Sequence, residues 1–305
     1  MTNLLIQMGL LIACGIAWRL LRPGGLSVDA VREALTACVY YLMLPALVLS
    51  VLWRAPLSQA SLVIAPLAAS GVLVSLALTW CLYRLFRPAD ALLGAMLLAA
   101  AWPNATYLGL PVLDAVYGEY GRRIAIQYDL FACTPLLMTV GVSLAGRYGR
   151  RSGGRYGLMA LFRVPPLWAA LIAVILNLGD IDMPQLVDDT LQMLGHGVVP
   201  LILVSLGISL RWDSLRWRNL PLVVPALLVQ LIMMPLIVWG LGQLLSVDGR
   251  LLTALVLEAA MPSMLLGLVI SERYGLDTAS YAATTTLSTM LSMITLPLWH
   301  AVLTG

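Results

Sequence analysis

The sequence predicts an all-α membrane protein: ten transmembrane helices forming two inverted five-helix repeats, with the fourth and ninth helices broken and crossing. Three observations predict it. Of 305 residues, 61% are hydrophobic and 11% charged, against about 25% charged in a soluble globular domain. The apolar residues fall into repeated runs of about 20, the length that spans a bilayer. Prolines also recur at matching places in the two halves of the chain.

A window of about 19 residues gives spans at 3–21, 34–53, 61–85, 91–117, 124–146, 164–179, 186–210, 220–246, 251–271 and 280–303. The stretch GRYGRRSGGRYGLMALFR at 146–163, rich in Gly and Arg, divides the chain. Residues 1–146 form the first repeat, 147–163 a cytoplasmic linker and 164–305 the second repeat. LIAC at 11–14 looks like a lipoprotein cleavage box, but MTNLLIQMGL before it lacks a positive n-region and the apolar run continues beyond Cys14. The segment is expected to be a retained first helix. Cys14, Cys38, Cys81 and Cys133 lie within apolar runs, without CxxC or Cys/His spacing, and read as small packing residues.

All eighteen basic residues are Arg. Fourteen follow the odd-numbered spans: Arg19, Arg22, Arg32, Arg84, Arg87, Arg147, Arg150, Arg151, Arg155, Arg163, Arg211, Arg216, Arg218 and Arg273. Only Arg54, Arg122, Arg123 and Arg250 fall on the other side. The positive-inside rule then places the odd-numbered loops in the cytoplasm and both termini outside. The acidic stretch GDIDMPQLVDD faces outward. No basic stripe lies beyond the short loops, so nucleic acid is not an expected partner.

The halves resemble each other. LMLPALVLSVLWR aligns with GVVPLILVSLGISLR, pairing Pro45 with Pro200 and Ser50 with Ser205 at an offset of 155. An offset of 159 pairs Pro66 with Pro225 and Pro103 with Pro262, laying AAAWP over EAAMP. Five spans per half is an odd number, so the second half enters the membrane inverted. Inverted repeats with broken helices mark secondary transporters, whose site lies near the midplane where the breaks meet.

The breaks themselves carry the chemistry. Pro103 lacks an N–H and its ring displaces the carbonyl of Ala99; Pro111 does the same to Tyr107, and Gly109 adds freedom between them. The stretch 103–109 is therefore expected to be unwound, which at membrane depth requires protein or a water-filled cavity around it. Free amides at the start of one half-helix suit an anion, and free carbonyls at the end of another suit a cation. Asn104 and Thr106 bring side chains to the first break and Ser263 to the second. Pro262 frees the carbonyl of Glu258, whose carboxyl is a landing point for a sodium ion or proton. Intramembrane acids by default suggest ion or substrate paths: Glu258 first, then Asp129 in IQYDLFACTPLL, then Asp114 near a helix end. His196 and His300 read as local hydrogen-bonding residues.

WPNATYLGLPVLDAVYGEYG resembles the fourth-helix signature of the auxin efflux carrier family, in which an Asn precedes G-x-P on a crossover helix. AAMPSMLLGLVISERYGLDTASYAATTTLSTMLSMITLPLW resembles that family's last two helices, through the ERYGLD turn and the TLPLW ending. The resemblance covers essentially the whole chain and implies a bacterial inner-membrane member, related more distantly to bile acid:sodium symporters. It implies export or exchange of small organic anions such as carboxylates, by an elevator motion of a transport domain (helices 3–5 and 8–10) against a scaffold (helices 1, 2, 6 and 7). Asn104 inherits a substrate-binding role, with Pro103, Thr106, Tyr107, Gly109, Pro262 and Ser263 around it. Plant members have a second crossover Asn where this chain has Ser263, so the two arms are expected to divide anion and cation duties. Pro45, Ser50, Pro200 and Ser205 would lie on the scaffold face, at the place for a homodimer. The expected partners are a small organic anion and membrane lipid, and the expected cofactor is none beyond a coupling sodium ion or proton.

Two other classes compete. An intramembrane enzyme would need G-x-G-D beside Tyr128–Asp129, or H-E-x-x-H, or G-x-S-G, and none of these occurs. An anion channel or membrane sensor could use the same polar breaks as a pore.

Overall fold

A computed structural model describes residues 2–55, 59–150, 162–212 and 220–304. Arg151, Arg155, Arg216 and Arg218, and the middle of the expected linker, lie outside these residues. Among the described residues all regular structure is helical, apart from a single antiparallel bridge between Pro103 and Ser263. The helices are α1 (Thr2–Leu21), α2 (Val28–Trp53), α3 (Gln59–Phe86), α4 (Asp90–Ala101), α5 (Leu110–Tyr117) and α6 (Glu119–Tyr148). After the linker come α7 (Pro165–Leu178), α8 (Gln185–Ser209), α9 (Leu220–Leu244), α10 (Gly249–Ala259), α11 (Leu266–Tyr274) and α12 (Thr278–Thr304).

Among the described residues, six helices are long and apolar enough to cross a membrane: α2, α3 over Leu62–Phe86, α6, α8, α9 and α12. α1 from Ile6, α4 and α7 are apolar but shorter. The expected fourth span is the pair α4 and α5, and the expected ninth is α10 and α11. Helix ends differ from the hydropathy windows where polar residues extend a helix past its apolar part. α2 starts at Val28 because Ser27 caps it, its Oγ accepting from Ala30 N at 3.1 Å.

Proline shapes these helices beyond the two breaks. π-turns at Val39–Met43, Ala105–Gly109, Asp129–Cys133 and Val229–Met233 each end two residues before a proline: Pro45, Pro111, Pro135 and Pro235. A proline cannot bond to the carbonyl four residues back, and a widened turn moves that carbonyl clear of the ring. The displaced carbonyl then needs a donor. For Pro235 it is Leu231, and Trp299 Nε1 donates to it at 2.9 Å.

α1, α2, α7 and α8 pack as one group, α1 on the Val198–Ser209 part of α8 and α7 on the Leu44–Trp53 part of α2. The two pairs end alike. Asn177 Nδ2 of α7 donates to the carbonyls of Trp53 and Ala55 at 2.7 and 2.8 Å, and Arg19 Nη1 of α1 donates to Ile208 O at 2.9 Å. Each supplies carbonyls at a helix C-terminus that have no partner within their own helix. The remaining helices form a second group around the buried Trp102, whose Nε1 donates to Cys133 O at 3.1 Å. The groups touch where α8 meets 105–109, α2 meets α6 and α7 meets 129–133.

Candidate functional site

Both breaks fall at their prolines, and they are tied to each other. Asn104 N donates to Pro262 O at 2.7 Å and Met264 N to Trp102 O at 2.9 Å, so two extended stretches pair back to back. The carbonyl that Pro103 displaces, Ala99 O, accepts from Ser263 Oγ at 2.6 Å. Ser263 N donates to Ser288 Oγ at 3.1 Å, and Tyr281 Oη of the same helix donates to Met264 O at 2.7 Å. Each arm thus satisfies backbone groups that the other arm's proline leaves without a helical partner. Ser263 has its hydroxyl proton engaged in this knot.

The first break is shorter than 103–109. Only Trp102–Asn104 leave helical geometry, and Ala105–Gly109 close into the π-turn. Asn104 is the reason. Its Oδ1 accepts from Tyr107 N at 3.2 Å, and its carbonyl accepts from Leu108 N and Gly109 N at 3.1 and 3.0 Å. This cap restarts the helix at once. The other end of the same amide, Nδ2, is buried and has no partner among the described residues. An amide donor left in that state at a helix N-terminus is chemically suited to an anion.

Pro262 displaces the carbonyl of Glu258, but that oxygen accepts from Met261 N at 3.2 Å. The group left without a partner among the described residues is the carboxyl: both Glu258 oxygens are unpaired there and the residue is 0% exposed. Gly109 of the first arm lies directly against it, and a Cβ there would overlap the carboxyl. A carboxyl so placed needs a proton or a cation to remain buried. Among the described residues no cluster of three His, Cys, Asp or Glu side chains is arranged to hold a metal ion.

Asp129 is paired differently. Its two oxygens accept from Thr106 Oγ1 and, at 3.0 Å, from Thr134 Oγ1. The Thr106 hydroxyl therefore joins the first break to α6. Asp129 and Thr106 line a cavity of about 10 Å³, space for about one water. The other walls include Ala125 and Leu130 of the same group, and Leu44 and Val48 of α2. Tyr107 extends the same way, its phenol within reach of Thr36, which bonds Ser205 Oγ at 3.1 Å.

The remaining candidates are placed apart. Asp114 pairs with Arg122 Nε at 2.5 Å across the α5–α6 turn, where it locks a hairpin. Ser50 Oγ donates within its own helix to Leu47 O at 3.0 Å. Pro45 is half-buried and Pro200 exposed. Gln127 and Gln230 escaped the sequence reading, and Tyr128 entered it only beside a protease motif. Gln127 is fully buried with both ends of its amide unpartnered, Tyr128 beside it has an unpartnered hydroxyl, and Gln230 donates to Met261 O at 2.8 Å. A glutamine inside an apolar span, as in IQYD and LVQLI, was the available signal.

Apolar helices of membrane-crossing length, with unpartnered buried polar groups gathered at two linked breaks, define a polytopic membrane transporter. The profile of the family described as membrane transport protein matches residues 6–153 and 154–300. The chain belongs to that family, which is the auxin efflux carrier family. It is 34% identical over 279 residues to an uncharacterized transporter of Methanothermobacter thermautotrophicus, covering 89% of each chain. It is also 29% identical over 226 residues to the uncharacterized transporter MJ1031 of Methanocaldococcus jannaschii, covering 72% of this chain and 71% of the other. The uncharacterized transporter YfdV of Escherichia coli K12 is 23% identical over 222 residues, 71% of this chain and 70% of that one.

Proposed function

We propose that the protein is a secondary transporter of small organic anions, carboxylates foremost, exporting or exchanging them by an elevator motion. One observation carries the reading: at the junction of the two breaks, a buried amide donor and a buried carboxyl both lack partners among the described residues. Asn104 Nδ2, at the start of the 105–109 turn, takes the anion, with Thr106, Tyr107 and the backbone around Pro103 and Gly109 forming the wall. Pro262 and Ser263 hold that backbone in place from the other arm. Glu258 takes the coupling proton or sodium ion, with Asp129 as the second acid. Ten spans in two inverted repeats, 1–146 and 164–305 about the linker 147–163, are supported by the paired prolines and by the like ends of the α1–α8 and α7–α2 pairs. The arginine distribution supports both termini outside in a bacterial inner membrane. The homodimer expected at the scaffold face near Pro45 and Pro200 belongs to the same proposal.

The test is uptake of labelled small carboxylates into proteoliposomes. Saturable uptake inhibited by competing carboxylates is expected. In Asn104→Ala the half-saturating concentration should rise about tenfold or more, the loss of one hydrogen bond to a charged group. Unchanged affinity in that variant removes Asn104 from the site, and conductance without saturation turns the reading into an anion channel.

A further inference from the structure

Away from the breaks, three arginines converge on one cavity. It measures about 680 Å³ and is lined by Trp80 and Arg84 of α3, Arg87 and Pro88 of the next turn, Asp90 and Leu93 of α4, and Arg147 and Tyr148 at the end of α6. The Arg84 guanidinium lies over the Trp80 ring, 4.3 Å from its centre. Arg87 sits in left-handed backbone geometry, φ 44°, uncommon for a residue with a side chain. None of the three pairs with a carboxylate among the described residues; ion pairs occur instead at Arg32, Arg54, Arg122 and Arg211. Asp90 offsets one of the three charges and leaves an excess of two. The adjoining sequence cannot supply the missing anion, because residues 149–163 contain no Asp or Glu and four more Arg.

We propose that this cavity binds the phosphate of an anionic lipid headgroup. Guanidinium forks match phosphate oxygens in pairs, and basic pockets between membrane helices are suited to anionic headgroups. The source is a lipid because the same level of the molecule is apolar outside the cavity. Leu85 and Phe86, between two of the arginines, are 78% and 66% exposed, and Trp80 also faces outward. Acyl chains cover those side chains while the headgroup enters the cavity. Trp80 and Arg84 together form the interfacial collar of α3.

The test uses the full chain purified in nonionic detergent, with bound lipid counted by native mass spectrometry and unfolding followed by heat. Phosphatidylglycerol is expected to bind and to raise the midpoint more than phosphatidylcholine. Each arginine near the headgroup contributes roughly fivefold, so Arg84→Gln/Arg87→Gln/Arg147→Gln should weaken phosphatidylglycerol binding by about a hundredfold. Arg87→Gln alone, in a turn, should weaken it about fivefold and serves if the triple variant does not fold. Arg22→Gln, outside the cavity, should bind as the parent does. Parent-like binding in both cavity variants, or equal binding of the two lipids, overturns the proposal. Displacement of the lipid by glycerol 3-phosphate overturns the lipid source and assigns a soluble phosphate ester.

Discussion

Asn104 combines two functions that its sequence position alone does not separate. Its oxygen caps a helix and its nitrogen remains unpartnered. The motif PNATYLG foretells an amide at a break; which end of that amide is engaged depends on where the chain turns next. Thr106 and Asp129 show the same limit. They are 23 residues apart and bond directly, and no periodicity in the sequence relates them. Ser263 was legible as a polar residue at the second break, but its bond to the carbonyl freed by Pro103 needs both arms in place. Glu258 is the residue whose chemistry is most exposed to test, because no described residue pairs with its carboxyl. Glu258→Gln keeps the size of the side chain and removes its ability to carry charge. Uptake by this variant should no longer respond to an imposed proton or sodium gradient. A variant that transports at the parent rate with unchanged pH and sodium dependence would remove Glu258 from coupling.

The helices themselves were largely legible, since runs of about 20 apolar residues are a direct consequence of bilayer thickness, and each break was foretold by a proline. The π-turns were not foretold. Proline says that a carbonyl must move, whereas a widened turn, an extended stretch or a kink could each move it. Neighbouring donors decide, as Trp299 does for Leu231. Close helix contacts were also hidden, because a glycine in an apolar run looks like any other small residue. Gly15 of α1 and Gly207 of α8 pack against each other: a Cβ on Gly207 would lie 3.0 Å from the Gly15 Cα and would also strike Ile12 O. Both obstacles are backbone, so the helices must separate to admit a side chain. Gly207→Val should therefore lower stability by about 1–3 kcal/mol or more, the usual cost of overpacking. Thermal unfolding of the purified protein measures it, and an unchanged midpoint would mean that α1 and α8 are free to part.

At the scale of the whole molecule, two helix groups meet along a seam that contains the small cavity beside Asp129. Its walls come from both sides, Leu44 and Val48 from α2 and Thr106, Ala125 and Leu130 from the group that carries the breaks. A cavity of about 10 Å³ admits a water and excludes an organic anion. On the reading proposed above, the walls must part for an anion to reach Asn104, and moving one packed group as a body against the other would do this most simply. The seam is suited to sliding. It is apolar on the α2 side, while the buried acids and amides belong to the group with the breaks, so motion there breaks few hydrogen bonds. One polar contact does cross the seam, Tyr107 reaching toward Thr36, and sliding would separate it, whereas the Thr36–Ser205 bond lies within one group and would persist. Cross-linking the seam tests this directly. In a background with Cys14, Cys38, Cys81 and Cys133 replaced, Val48→Cys and Leu130→Cys place one thiol on each wall. Oxidation should join them and stop uptake in proteoliposomes, and reduction should restore it, while either single cysteine transports throughout. Uptake that continues at full rate in protein shown to be fully cross-linked would exclude movement between the groups and leave access to the site to local opening of the 105–109 turn.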